Sequence, residues 1–259
     1  MTTEIALVTG ASSGIGEALA RRLAAAGRAL ALVARRGERL EALAAELRAR
    51  HGIEVHPIAL DLIAPGAAER LVGEVERRGL TVDWLVNNAG FGTTGRFDRL
   101  PVAREVEEVR LNVEVPVELT GRFLPGMVAR GRGAVINVAS LAAYGPMAYS
   151  ATYAATKAFL LSFSEAIAAE LAGTGVHVLC VCPGFTRTEF QEKAHVDTRR
   201  VPGLAWMTAE EVADQTVRAV GRTSVLVNGM LNSLTSVAMR LVPRGLIART
   251  TARVLAPRA

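Results

Sequence analysis

The sequence contains little cysteine and lacks any hydrophobic run long enough to cross a membrane. Its two cysteines, Cys180 and Cys182, lie two residues apart in one apolar run, too close for an ordinary disulfide, which excludes a disulfide scaffold. No apolar run reaches the ~18 residues that a spanning helix needs. The start of the chain carries an acid, Glu4, and is unlike a signal or transit peptide. We therefore expect a soluble, cytoplasmic protein.

Acidic residues are missing from the last part of the chain. The last acid is Asp214, and seven arginines follow it: Arg218, Arg222, Arg240, Arg244, Arg249, Arg253 and Arg258. The whole chain has 30 basic and 25 acidic side chains, so residues 1–214 carry 30 − 7 = 23 basic against 25 acidic ones. The net charge of +5 therefore belongs to the tail, whereas a nucleic-acid-binding body would carry a basic stripe. Nucleic acid is not an expected partner.

Strand-like and helix-like segments alternate along the 259 residues, half of which are hydrophobic. Continuously apolar strands separated by helices are typical of a parallel sheet covered on both faces. Right-handed crossovers make such a sheet doubly wound. The predicted strands cover residues 5–9, 29–34, 55–60, 83–87, 134–138, 176–181 and 224–227. The predicted helices cover residues 18–26, 38–50, 67–78, 102–127, 152–171 and 209–220. We predict one α/β domain over residues 1–229, with a mostly parallel seven-stranded sheet, followed by an extension over residues 230–259.

A glycine-rich turn follows the first predicted strand and opens a helix, in the sequence Thr9-Gly-Ala-Ser-Ser-Gly-Ile-Gly16. Such a turn lets backbone N–H groups approach a phosphate, and the helix N-terminus adds partial positive charge. Turn punctuation alone is one alternative, since the spacing is not G-x-G-x-x-G. Another is the G-x-S-x-G nucleophile elbow of hydrolases, with His195 and Asp197 as partners, although only one strand precedes this turn.

Two arginines, Arg35 and Arg36, end the second predicted strand about 20 residues beyond the turn. A site for NAD would place a carboxylate there to hold the ribose 2′-hydroxyl. Guanidinium groups suit a 2′-phosphate instead, which favours NADP. The alternative is a solvated helix start, although cations are disfavoured at a helix N-terminus.

The chain has three tyrosines and two lysines, and one of each forms the pair Tyr153 and Lys157. Four residues apart, they share a helical face. A phenol has a pKa near 10, and an ammonium about 4 Å away lowers it by roughly three units at most. Ser140 ends a predicted strand thirteen residues upstream, at the edge of the sheet where ligands bind. Taken alone, such a pair is in most proteins an ordinary surface helix contact.

Together these motifs make the chain resemble the short-chain dehydrogenases/reductases over residues 4–229. The family's TGxxxGIG turn corresponds to residues 9–16, its NNAG motif to residues 87–90, its catalytic serine to Ser140, its YxxxK motif to Tyr153 and Lys157, and its Pro-Gly turn to residues 183–184. The resemblance implies a Rossmann-like fold and hydride transfer between NADP(H) and a carbonyl or alcohol substrate. The alternative is a non-catalytic NADP-binding sensor on the same fold.

The resemblance also implies residue roles. Tyr153 would donate the proton, Lys157 would lower its pKa and bind the nicotinamide ribose, and Ser140 would hold the substrate oxygen. Asn112 would support a proton relay. The implied cofactor-binding residues are Gly10, Ser12, Ser13, Gly14, Ile15, Gly16, Arg35, Arg36, Asp61, Leu62, Asn88, Ala89, Gly90, Tyr153, Lys157, Pro183, Gly184, Thr186 and Thr188. The four histidines show no ligand spacing, so no metal site is expected.

The extension and the pocket are the least determined parts. Apolar residues and arginines interleave after position 229, and Pro243 divides them into two amphipathic segments. These segments could pack on their own domain or on a dimer partner, cover the pocket, or lie weakly on an anionic membrane; a homodimer is favoured. An apolar pocket is expected from the aromatic and aliphatic residues Phe91, Tyr149, Phe190, Leu204, Trp206 and Met207, which suits a ketone, an aldehyde or a 3-oxoacyl group.

Overall fold

A computed structural model describes residues 3–196, 198–199 and 201–254. Two residues named in the sequence analysis lie outside the described residues, namely Asp197 of the hydrolase alternative and Arg258 of the tail.

Seven parallel strands form one sheet in the order β3-β2-β1-β4-β5-β6-β9, which confirms the predicted doubly wound α/β architecture. These strands are β1 (Thr3–Thr9), β2 (Ala29–Ala34), β3 (Val55–Ala59), β4 (Leu80–Asn87), β5 (Gly133–Val138), β6 (Val176–Cys182) and β9 (Val225–Val227). The chain order reverses between β1 and β4, and ligands bind beside the carboxyl ends of strands at such a point. Cys180 and Cys182 are free and buried on β6.

Helices cover both faces of the sheet. They are α1 (Gly14–Ala25), α2 (Gly37–His51), α3 (Ala67–Arg77), α4 (Val102–Val109), α5 (Val115–Arg130), α6 (Ala151–Glu170), α7 (Phe190–Lys193), α8 (Ala209–Ala219), α9 (Met230–Leu241) and α10 (Arg244–Val254). Alternate residues of β1 pack in opposite directions because strand side chains alternate. Val8 joins the core under α1, α2 and α8, whereas Leu7 joins the core under α3 and α5.

Two regions differ from the sequence-based prediction. The helix predicted over residues 102–127 is divided by the π-helical segment Arg110–Glu114. Two three-residue strands, β7 (Phe185–Arg187) and β8 (Trp206–Thr208), form a separate parallel pair beyond the end of β6. Strands this short have too few residues to show a period, so they could not be predicted from the sequence pattern.

The extension packs on its own domain beside the carboxyl ends of the strands. Asn232 of α9 lies against Gly184, and Met239 and Ile247 lie against Gly145. The other face of α9 exposes apolar side chains, among them Leu234 and Leu241. Among the described residues, no helix combines the length and the apolar character needed to cross a membrane.

Candidate active site

The glycine turn is joined to the end of β4. The Thr9 hydroxyl accepts hydrogen bonds from the backbone N–H groups of Asn88 and Ala89, both at 3.0 Å, and the Asn88 side chain donates to the Thr9 carbonyl at 2.9 Å. Gly10 has a φ of +67°, which favours glycine. A Cβ on Gly16 would overlap Asn88 Nδ2 and the Gly10 carbonyl. The turn therefore needs glycine at both positions to reach β4.

Arg36 lies against this turn, whereas its neighbour Arg35 is exposed. One guanidinium nitrogen of Arg36 donates to the hydroxyls of Ser13 at 2.7 Å and Ser12 at 3.0 Å. Of the two arginines, the structure thus brings Arg36 to the glycine turn. The same contact engages Ser12 with a cation rather than a base, which does not fit the hydrolase alternative.

Ser140, Tyr153 and Lys157 come together at the end of β5. The Ser140 hydroxyl lies near the Tyr153 hydroxyl and acts to lower the pKa of that phenol. The Lys157 ammonium lies 5.7 Å from the centre of the Tyr153 ring and donates to the Val138 carbonyl at 2.8 Å. Helix α6 carries the tyrosine and the lysine one turn apart, and β5 brings the serine to them.

The pKa values in this cluster differ from the expectation. Burial raises the pKa of Tyr153 to about 12 instead of lowering it, and the ionised carboxyl of Glu108 acts in the same direction. Burial also lowers the pKa of Lys157 to about 8. Desolvation disfavours the charged form of each group, phenolate and ammonium alike. In this structure the phenol therefore keeps its proton at neutral pH.

Asn112 lies at the centre of the π-helical segment and is completely buried. Its side-chain amide donates to the Phe91 carbonyl at 2.9 Å and to the Thr156 hydroxyl at 3.1 Å. A Cβ on Gly90 would meet Asn112 Oδ1 at 2.9 Å and Lys157 Nζ at 3.6 Å, so the two side chains flank this glycine. Single π-type turns inside α-helices often occur at functional sites.

The remaining sequence-derived residues are divided between the cleft and its edge. Thr188 covers Gly14, at 3.0 Å from the position of an added Cβ, and Thr186 donates to the Gly184 carbonyl at 3.1 Å. The Pro183 carbonyl accepts a hydrogen bond from the backbone of Leu141. Leu62 is buried, and Ile15 is the second residue of α1. Asp61 is exposed, and its carboxylate accepts a hydrogen bond from the backbone N–H of Ile63.

Sequence reasoning missed two acidic residues behind the tyrosine. Glu105 and Glu108 are 5% and 0% exposed, and each has one carboxylate oxygen without a hydrogen-bond partner. Thr93 donates to Glu108 at 2.8 Å, and Thr152 donates to Glu105. Burial raises the pKa of Glu108 to about 7. Their spacing of three residues marks one helical face, but only the packing of α4 against α6 shows that this face is buried.

The residues present fit a nicotinamide dinucleotide, because the glycine turn and Arg36 offer phosphate-binding groups beside the Ser140, Tyr153 and Lys157 cluster. Among the described residues, no group of three or more His, Cys, Asp or Glu side chains is arranged to hold a metal ion.

Comparison with known proteins agrees with this fit. A family model described as short chain dehydrogenase matches residues 4–199. A short chain dehydrogenase of Pseudocercospora fijiensis is 41% identical over 188 residues, which are 71% of this chain and 60% of that relative. The sulfoacetaldehyde reductase of Chromohalobacter salexigens is 37% identical over 224 residues, 82% of this chain and 86% of the relative. A solved short-chain dehydrogenase from Sphingobium yanoikuyae in complex with NADPH has a TM-score of 0.82 and 31% identity, with 95% of each chain covered. The chain belongs to the short-chain dehydrogenase/reductase family of nicotinamide-dependent oxidoreductases.

Proposed function

We propose that this protein is an NADP(H)-dependent reductase or dehydrogenase acting on an apolar ketone, aldehyde or 3-oxoacyl substrate. The observation that carries the proposal is the convergence of Ser140, Tyr153 and Lys157 at the end of β5, with the Lys157 ammonium 5.7 Å from the centre of the Tyr153 ring. A binding module has no need of a phenol, a hydroxyl and an ammonium converging at one point. This argues against the alternative of a non-catalytic NADP-binding sensor.

Each side chain has a role that its surroundings support. Tyr153 donates the proton from its hydroxyl, which is protonated at neutral pH because burial raises its pKa to about 12. Ser140 holds the substrate oxygen, and Lys157 binds the nicotinamide ribose and favours the phenolate once the proton has left. Asn112 positions Phe91 and Thr156 beside this path. The nicotinamide, when bound, supplies or accepts the hydride.

The preference for NADP(H) rests on Arg36. Its guanidinium lies against Ser12 and Ser13 in the glycine turn, where it suits a dianionic 2′-phosphate. The similar protein from Sphingobium yanoikuyae was solved with NADPH, which supports the same cofactor here. The other cofactor-contacting residues would be those of the turn, of the β4 end and of residues 183–188.

The cleft beside Tyr153 supports the proposed substrate class. The Phe190 ring lies 5.4 Å from the Tyr153 ring, and both rings close on Gly92. Phe185 and Trp206 pack together at 5.5 Å on the neighbouring β7–β8 pair. This aromatic wall favours a hydrophobic group next to the carbonyl.

We also propose a homodimer in the cytoplasm. The exposed apolar side chains of α9, such as Leu234 and Leu241, support contact with a second copy. The alternative is weak contact of the tail with an anionic membrane, which its arginines would favour.

The test is NADPH consumption by the purified protein with carbonyl compounds of graded chain length, beside the variant Tyr153→Phe. The expected result is turnover that increases with apolar chain length, abolished in the variant while NADPH affinity is retained. Substantial turnover by the variant contradicts the mechanism. Tight NADPH binding without turnover of any compound would favour the sensor.

A further inference from the structure

Glu189, which no motif singled out, lies at the centre of a cluster of cations. Its carboxylate is 2.7 Å from Arg39, 3.0 Å from Arg36 and 2.5 Å from Lys193. Arg39 and the other two cations hold the pKa of the Glu189 carboxyl well below its usual range. The cluster borders an open cleft of about 440 Å³. The ionised carboxylate of Glu189 therefore occupies the cationic side chains that an anion bound in this cleft would contact.

One of these cations also belongs to the phosphate-binding turn. Arg36 donates from one guanidinium nitrogen to Glu189 and from its other two nitrogens to the hydroxyls of Ser12 and Ser13. A 2′-phosphate held by Arg36 would meet a carboxylate at the same guanidinium, and like charges at this distance repel. A phosphate monoester carries close to two negative charges and three acceptor oxygens, so it competes well against a single carboxylate.

Glu189 is also joined to the substrate end of the site. It directly precedes Phe190, the first residue of α7, whose ring lies against the Tyr153 ring. The backbone carbonyl of Glu189 accepts a hydrogen bond from the N–H of Lys193, and the carbonyl of Phe190 accepts one from Ala194. A movement of the Glu189 side chain and backbone thus reaches the aromatic contact over the tyrosine.

We propose that Glu189 acts as an exchangeable latch. The 2′-phosphate of the cofactor displaces the Glu189 carboxylate from Arg36 and Arg39, and this displacement loosens α7 and the contact of Phe190 with Tyr153. This inference rests on the proposed use of NADP(H). It assigns to Glu189 two effects, a lower affinity for the 2′-phosphate and a coupling between cofactor and substrate ends. NADH, which lacks the phosphate, would leave the latch closed.

The experiment compares the wild type with Glu189→Gln and with the matched control Glu192→Gln. Glu192 lies on the same short helix and borders the same cleft. Dissociation constants for adenosine 2′,5′-bisphosphate and for 5′-AMP, which differ in the 2′-phosphate, are measured by calorimetry. Hydrogen exchange of the amides at 190–196 is followed with each ligand.

We expect Glu189→Gln to bind adenosine 2′,5′-bisphosphate about fivefold more tightly, the scale of one exposed ion pair, and to bind 5′-AMP with unchanged affinity. The control Glu192→Gln should bind both ligands like the wild type. The bisphosphate, but not 5′-AMP, should speed exchange in the wild type, and Glu189→Gln should exchange fast without ligand. An unchanged or weaker bisphosphate affinity in Glu189→Gln overturns the latch, as does equal exchange with both ligands. If the wild type does not prefer the bisphosphate over 5′-AMP, the NADP(H) proposal itself fails.

Discussion

The buried carboxyl of Glu108 should make the protein less stable as the pH rises. Burial raises the pKa of this group from 4.5 to about 7 in the folded protein, whereas the unfolded chain keeps the ordinary value. Between these two pH values the unfolded state loses the proton first, so the free energy of unfolding falls as the pH rises and levels off above pH 7. One pKa unit corresponds to about 1.4 kcal/mol, which gives about 3 kcal/mol for this group.

Glu108→Gln removes the titration and keeps an acceptor for the Thr93 hydroxyl, which donates to Glu108 at 2.8 Å. We expect the variant to be more stable than the wild type by up to about 3 kcal/mol at pH 8 and nearly equal to it at pH 4. The assay is urea unfolding followed by circular dichroism across this range. Glu107→Gln is the control, because Glu107 lies on the same helix in an exposed pair with Arg104. If Glu108→Gln loses stability with pH as steeply as the wild type, the carboxyl is not the cause.

Two further predictions concern the cofactor site. Gly16→Ala should abolish NADPH binding and lower the melting temperature, because the added Cβ would overlap Asn88 and the Gly10 carbonyl. The control is Gly73→Ala on α3, where the added Cβ has open space, and it should leave the melting temperature unchanged or raise it. Arg36→Ala should lower NADPH affinity about tenfold with little effect on NADH, and Arg35→Ala should do less because Arg35 is exposed. Fluorescence titration with both cofactors checks this pair, and a larger loss from Arg35→Ala would move the phosphate contact.

The glycine turn, the Tyr153 and Lys157 pair and the strand end at Ser140 could be located from the sequence because each depends on local spacing. The strand and helix pattern is local in the same sense, since a buried parallel strand reads as a continuous apolar run. The choice between Arg35 and Arg36 could not be made this way. Neighbouring residues at a strand end point in different directions, and only the place of the turn shows which one reaches it.

Tyr153 shows that residue spacing does not predict the pKa of a side chain. A pair four residues apart suggests a lowered phenol pKa, yet in the structure burial raises the pKa of Tyr153 to about 12. The same applies to Glu108, which lies on an apparently ordinary charged helix but is completely buried. Desolvation depends on what surrounds a group in space, so it cannot be predicted from the spacing of residues along the chain.

The sequence by itself determined the α/β class, the seven strands and the turn, since these follow from periodicity and from glycine's backbone freedom. The tertiary structure alone decided that Arg36 faces the turn and that Glu105 and Glu108 lie buried behind Tyr153. It also brought Glu189, 153 residues away from Arg36 in the chain, to that arginine. Contacts between distant segments arise only when the sheet and its helices pack, and they fix the charges and the solvation on which the chemistry depends.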